Sequence, residues 1–313
     1  MATGDRAEHE FGGGWTEIKL NAVSDYLTFY TRALQASPSA ADPFETWYVD
    51  AFAGTGDRTI EVREEGLFAS KSGGGSLDRV RLEGSARRAL AVDPPFRHLV
   101  FIEKDARRFA ALERVKTDHP ARDIRCVPGD ANDELRRIFS EGLWIQPGRR
   151  GLQRAVVFLD PYGMSVRWDT LRFLAKTGRA DVWYLFPLHA ALRQLSHDHA
   201  ALDPSKRAAL NEVFGTPDWE DRFYEHLPAP TNLFDFADAA MPSRNADPDK
   251  VEEFAAERLK TIFGFVSDPI PILTRHKLRQ FSLFLLSGNT HPKAVALIRR
   301  GVAAQIKKYG GRV

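Results

Sequence analysis

The sequence predicts an α/β protein built on a mostly parallel sheet with helices on both faces. Three observations predict it. Short, nearly apolar segments alternate with longer segments whose apolar residues recur at helical spacing. Most of the short segments are apolar throughout, the pattern of strands buried on both faces and therefore covered by helices on both sides. The last two, Ile270-Pro271-Ile272-Leu273-Thr274 and Phe281-Ser282-Leu283-Phe284-Leu285-Leu286, flank a basic link from Arg275 to Gln280, which reads as an antiparallel hairpin.

In chain order, Gly12-Gly13-Gly14 leads into Trp15, Ile18, Leu20, Val23, Leu27, Tyr30 and Leu34, whose spacing predicts an amphipathic helix over 15–35. The β-branched and aromatic run from Thr46 to Phe52 is a buried strand that ends in the tight turn Gly54-Thr55-Gly56. Residues 57–84 are rich in glycine and charge and read as an exposed loop. Ser85 is the expected N-cap of a helix reaching Val92. A second strand spans His98 to Glu103, and Asp105 caps the helix after it, with Phe109, Leu112 and Val115 facing inward. Ile124 to Val127 is the third strand, Ala155 to Asp160 the fourth and Asp181 to Phe186 the fifth, each separated from the next by a helix. From Pro187 to Ala246 the rhythm breaks into acidic, proline-bearing short helices and loops; helices over 248–263 and 292–308 complete the reading. These elements divide the chain into a helical extension at 1–45, a core made of 46–187 and 264–313, and a helical or loop insertion at 188–263.

Composition narrows the function. Apolar residues at 43% and charged residues at 27% describe a globular chain rather than a disordered one. The net charge of +2 conceals an asymmetry: residues 269–313 hold nine basic and no acidic side chains, leaving 35 basic against 42 acidic before them. A single cysteine, Cys126, excludes a disulfide framework or a cysteine-cluster metal site and fits a reducing, cytoplasmic setting. Met1 to Gly14 has no apolar core, so no signal peptide is read there, and no apolar run is long enough to span a bilayer. His189, His197 and His199 lack a second ligand cluster and read as solvated, so no metal is expected. The glycine-lysine phosphate loop of nucleotide hydrolases is absent.

Four strands end in groups suited to chemistry, at the end of the sheet where open α/β folds place their ligands. The first is Asp50-Ala51-Phe52-Ala53-Gly54-Thr55-Gly56, where glycines let the backbone turn and approach a ligand. The dinucleotide fingerprint asks for a third glycine where Thr59 stands, which weakens a dehydrogenase reading. The second is Glu103, followed by Lys104, where a fixed carboxylate can accept both hydroxyls of a ribose. The third, Gly129-Asp130-Ala131-Asn132, places a carboxylate for an exocyclic amine or, equally, an ordinary helix cap. The fourth is Phe158-Leu159-Asp160-Pro161-Tyr162-Gly163. An aromatic amine is a poor nucleophile because its lone pair is delocalised. The Asp160 side chain and the Pro161 carbonyl can accept its N–H bonds while Tyr162 stacks on the ring.

The first motif resembles that of class I S-adenosylmethionine-dependent methyltransferases, and the fourth resembles the Asp-Pro-Pro-Tyr motif of amine methyltransferases with one proline missing. More finely, the chain is similar to the three-Cys-motif partner protein family. The matching stretches are Phe11 to Leu20, Asp50 to Gly56, Gly84 to Ala86, Phe101 to Asp105, Gly129 to Asn132, Asp160 to Met164, Trp183 to Pro187 and Phe214 to Trp219. The resemblance implies a Rossmann-like class I methyltransferase fold with a mostly parallel seven-stranded sheet, a C-terminal antiparallel hairpin and helical insertions. It also implies S-adenosylmethionine as cofactor, and a partner protein that carries the three cysteines.

Cofactor-binding candidates are then Asp50, Phe52, Ala53, Gly54, Gly56, Glu103, Lys104, Asp130, Ala131 and Asp160, and catalytic candidates are Asp160, Pro161 and Tyr162. Trp15 and Lys19, brought into view by the family pattern, join Arg275 and Lys277 of the basic link as candidates for substrate contact. Arg149, Arg150 and Arg154 add positive charge close in sequence to the fourth strand. The expected activity is N-methylation of an exocyclic or planar amine, with a nucleobase in DNA or RNA as substrate. The alternatives are a methyltransferase of a small molecule or peptide and a non-catalytic cofactor-binding partner.

Overall fold

Successive side chains of a strand point to opposite faces, and in this protein both faces are dry. The computed structural model describes residues 14–35, 37–39, 41–63, 77–145, 152–224, 244–274 and 276–310, with the side chains of Trp15, Leu143, Ile145 and of residues 58–63 and 77–82 excepted. The chain runs α1 (Gly14–Leu34), β1 (Glu45–Asp50), β2 (Asp57–Arg63), β3 (Leu77–Glu83), α2 (Ser85–Leu90), β4 (His98–Glu103), α3 (Ala106–Asp118), β5 (Asp123–Pro128), α4 (Ala131–Phe139) and α5 (Gly142–Ile145). It continues with β6 (Gln153–Leu159), α6 (Trp168–Thr177), β7 (Ala180–Phe186), α7 (Leu188–Gln194), α8 (Pro204–Phe214), α9 (Trp219–Phe223), α10 (Pro248–Lys260), β8 (Phe265–Val266), β9 (Ile270–Leu273), β10 (Arg279–Ser287) and α11 (Pro292–Gln305).

The main sheet follows the order β5, β4, β1, β6, β7, β10, with β8 and β9 both on the far side of β10. The first five strands are parallel, and β10 is antiparallel to its neighbours. In register, Asp50 stands level with Phe101 and Phe158. Glu103 and Asp160 therefore lie two residues further along, at the carboxyl rim on either side of the turn that leaves β1.

Alternation sorts the strands into two cores. Val49, Val100, Val157 and Tyr184 face α4, α6, α7, α8 and α10, whereas Tyr48, Phe101, Phe158 and Trp183 face α1, α2 and α11. Each large side chain so buried contributes roughly 1.5–3 kcal/mol. α1 belongs to this second layer: Leu20, Val23, Tyr26, Leu27, Tyr30 and Leu34 are buried, and the Tyr26 hydroxyl donates to Asp181 at 2.9 Å. α11 lies against α1 because Gly301 has no side chain; a Cβ there would stand 2.4 Å from Phe29.

Three expectations change. Residues 57–84 are not simply an exposed loop, because β2 and β3 pair antiparallel with Ile60 opposite Val80 and Glu61 opposite Arg79. The period-two alternation of Ile60, Val62, Val80 and Leu82 in the sequence was the signal for them. Ser85 is the first helical residue of α2, and Gly84 holds the N-cap position. The main sheet has eight strands rather than seven, because the sixth is broken at Ser267-Asp268-Pro269 into β8 and β9, with a one-residue slip in register against β10. Pro269 and Pro271 lack the amide that would continue the ladder, which suits this edge. The glycine-rich lead at 12–13 and Gly73-Gly74-Gly75 lie outside the described residues.

Candidate active site

Where β1 ends, the chain must turn sharply between its two neighbours. The Ala51 amide donates to the Phe158 carbonyl at 3.1 Å and the Ala53 amide to the Ile102 carbonyl at 3.0 Å, so the turn is tied to β6 on one side and β4 on the other. Gly54 at φ +61° and Gly56 at φ +75° adopt the left-handed region that glycine alone enters without strain. The space a Gly54 side chain would take is empty out to 4 Å, which makes the turn a backbone-lined cradle. Phe52 is half-buried at its edge, and Ala53 is buried beneath it.

Asp50 lies wholly below this cradle. Its carboxylate accepts from the Phe52 amide at 3.3 Å and the Tyr48 hydroxyl at 3.4 Å, and it hydrogen-bonds the Ser85 side chain. Burial pushes the Asp50 carboxyl up to about 7; the Ser85 bond opposes this, and the charge of Asp160 adds to it. The folded protein therefore keeps a proton that the unfolded chain releases between about pH 4 and pH 7. Stability contributed by this group falls as pH rises through that window and is level above it. Asp50→Asn has no proton to hold. Its unfolding free energy relative to the parent should rise by up to about 4 kcal/mol from pH 4 to pH 7. Denaturant unfolding at several pH values checks this, and a difference independent of pH would refute it.

Glu103 is almost fully buried, and its two oxygens are fixed separately. Oε2 accepts from the Gly54 amide at 2.9 Å and Oε1 from the Asp105 amide at 2.8 Å. Each oxygen retains a lone pair, so the carboxylate can take two further donors side by side. Arg108 approaches it to 4.0 Å. Lys104, between Glu103 and the Asp105 cap of α3, is exposed.

Asp160 leaves β6 one strand away, on the other side of the cradle. Its Oδ2 accepts from Lys19 Nζ at 2.5 Å, and the side chains are 25% and 8% exposed respectively. α1 delivers that lysine from 141 residues away and is held there by Arg88, which bonds Glu17 at 2.5 Å and also Asn21. Pro161 is buried, whereas Tyr162 is 57% exposed. The Arg108 guanidinium lies 5.1 Å over the Tyr162 ring and donates to its hydroxyl at 3.0 Å.

The third motif supports the fourth. Asp130 caps α4 through the Asn132 amide, and Ala131 is its buried first residue. Asn132, buried, accepts from the Arg167 amide at 2.9 Å and the Thr170 hydroxyl at 2.8 Å, and donates to the Ser165 carbonyl at 2.9 Å. The loop that carries Asp160 to Gly163 is thereby pinned to α4.

The structure thus gathers Asp50, Gly54, Gly56, Glu103, Asp160, Pro161, Tyr162 and Lys19 at one rim. The Trp15 side chain, Arg149, Arg150 and Arg275 lie outside the described residues. Lys277 is exposed in the hairpin turn at φ 59°, on the same rim but with β7 and β10 between it and β6. Arg154 is corrected: it begins β6, about 20 Å from Asp160 at the strand rise per residue, and packs over Phe44. Sequence reading missed Ser85, Arg108 and the contact of Lys19 with Asp160. Among the described residues, no group of three or more His, Cys, Asp or Glu side chains is placed to hold a metal. Burial pushes the Cys126 thiol up to about 12, far from a nucleophile's range.

Two solved structures align with most of the chain. Protein LPL1258 from Legionella pneumophila aligns with a TM-score of 0.48 at 11% identity, over 96% of this chain and 94% of that one. Spermidine synthase from Thermotoga maritima aligns with a TM-score of 0.41 at 8% identity, over 96% and 67%. At such scores the likeness carries no argument about activity. No family model and no curated protein matches the chain.

Proposed function

We propose that this protein is an S-adenosylmethionine-dependent N-methyltransferase acting on an exocyclic amine of a nucleobase. The observation that carries the reading is the order of groups along one rim. Glu103, the glycine turn over Asp50, and Asp160-Pro161-Tyr162 stand on three adjacent strands, β4, β1 and β6. The residues fit the cofactor. The cradle above Gly54 is open where a side chain would fill it, and the fixed Glu103 carboxylate keeps two lone pairs for the hydroxyls of a ribose. Asp130, after the next strand β5, would be the acceptor for an adenine amine. S-adenosylmethionine, when bound, supplies a methyl group activated on a sulfonium.

The protein's own part is positioning. Lys19 holds Oδ2 of Asp160, and Oδ1 accepts an N–H of the substrate amine. The Pro161 carbonyl is the second acceptor, and together they hold the amine with its lone pair aimed at the cradle. The Tyr162 ring offers a face for the planar substrate. Resemblance to the three-Cys-motif partner family adds a partner protein to this reading.

Labelled-methyl transfer from S-adenosylmethionine to fractionated RNA, DNA, protein and metabolites tests the proposal. Label in nucleic acid supports it. Label confined to metabolites or protein favours the alternative substrates, and no binding of S-adenosylmethionine by calorimetry overturns the reading altogether.

A further inference from the structure

The basic excess of the C-terminal end does not collect at the site. Arg279 pairs with Asp249 at 2.7 Å and Glu252 at 3.2 Å, and Lys308 pairs with Asp25 at 2.7 Å. Arg299 and Arg300 lie over the rings of Phe265 and Phe29. Apart from Lys19, which Asp160 holds, the positive charge at the rim stands at the start of α3 instead, where Arg108 meets the Tyr162 ring. Lys104 and Arg107 are exposed, and the charge of Arg107 acts on Asp105. Asp105, the one acid between them, spends its carboxylate on the Arg107 and Arg108 amides as the cap of α3. Arg108 completes the group.

Its contact with Tyr162 is informative because of where the two residues originate. Arg108 follows β4 and Tyr162 follows β6, two strands that flank β1 and so stand about 10 Å apart. The pair therefore reaches over the cradle between them. Tyr162 and Leu278 are the exposed large apolar side chains among the described residues. An exposed ring against Arg108, with the exposed Lys104 and Arg107 on the same turn of chain, fits a polyanion that also presents a planar face. Single-stranded nucleic acid has both properties, whereas a duplex hides the faces of its bases.

We propose that Lys104, Arg107 and Arg108 bind the phosphates of a single-stranded nucleic-acid segment whose target base is received by the Tyr162 ring. Arg108 exchanges the Tyr162 hydroxyl for a phosphate oxygen as the strand enters, freeing the ring to stack. This inference rests on the methyltransferase reading and narrows its substrate. It assigns the electrostatic contact to the start of α3 rather than to the hairpin that holds Lys277.

The test is fluorescence anisotropy of the full chain with short labelled single-stranded RNA, single-stranded DNA and duplex, across a range of salt. The parent protein should prefer single strands. The K104A/R107A/R108A variant should bind them at least tenfold more weakly, with a slope of log affinity against log salt shallower by about 2. Y162A should lose about fivefold to a hundredfold, and K293A/K307A, which removes lysines elsewhere, should stay within twofold. An unchanged salt slope in the triple variant, an equal loss in K293A/K307A, preference for duplex, or displacement of the strand by polyglutamate at equal charge would each overturn the inference. Calorimetry with S-adenosylmethionine separates the two levels. If the triple variant loses cofactor affinity as well, these residues belong to the cofactor site. If the parent binds cofactor but no nucleic acid, the inference fails and the methyltransferase reading stands.

Discussion

If Asp160 acts on the substrate amine as proposed and not on the cradle, Asp160→Asn should lower the methyl-transfer rate about a thousandfold while cofactor affinity stays the same. The amide keeps the shape of the carboxylate and gives up its charge. Asp160→Ala reaches the same activity but has a second effect that the structure makes plain. It removes the carboxylate that Lys19 Nζ meets at 2.5 Å, and taking away one member of a largely buried ion pair is destabilising. Lys19→Met removes the other member and leaves the Asp160 charge, which acts on Asp50, without this cation. The double variant Lys19→Met, Asp160→Ala should recover much of the stability lost by either single change and none of the activity. Thermal unfolding and single-turnover methyl transfer on the four proteins measure both. An active Asp160→Ala protein removes Asp160 from the reaction, and strictly additive stability losses show that the pair is not coupled.

Glu103→Ala weakens S-adenosylmethionine binding about a hundredfold. Two hydrogen bonds to a charged acceptor are lost, each contributing about 1.5–3 kcal/mol at most, and the Gly54 and Asp105 amides lose their acceptors as well. The turn that shapes the cradle is then untethered from β4. Glu103→Gln keeps one acceptor oxygen and should fall between the two. Calorimetry reads the affinities directly; unchanged binding by Glu103→Ala would count decisively against the ribose assignment.

The strands and their ends were legible because burial on both faces leaves a mark on every residue of a strand. Val156 to Leu159 and Val182 to Phe186 read as apolar runs with Asp160 and Pro187 where they stop, and the rim at their ends followed from that. Residue types at the rim carried the chemistry, since glycine at Gly54 and acids at Glu103 and Asp160 each answer a distinct demand. What the sequence did not show are the contacts made between elements. Helical spacing placed Lys19 on α1 and left its partner open, because periodicity fixes which face of a helix is buried and not which strand end it meets. Ser85 looked like a cap because serine before an apolar run usually is one; in the fold its hydroxyl serves Asp50. The charge asymmetry misled for the same reason. Nine cations in the last 45 residues look like a surface, yet Arg279 and Lys308 find acids contributed by α10 and α1.

The close seating of α11 on α1 bears on the order in which the protein can assemble. Tyr309 and Lys308 both reach Asp25, each at 2.7 Å, closing a loop of 284 residues for the tyrosine. Contacts of such sequence separation form late, because the chain entropy of closing the loop is lost before the contact is gained. During synthesis, the strands bearing Asp50, Glu103 and Asp160 leave the ribosome well before α11 exists. A nascent chain would then hold the cradle and α1 before α11 can close over the face that Phe29 and Asp25 present.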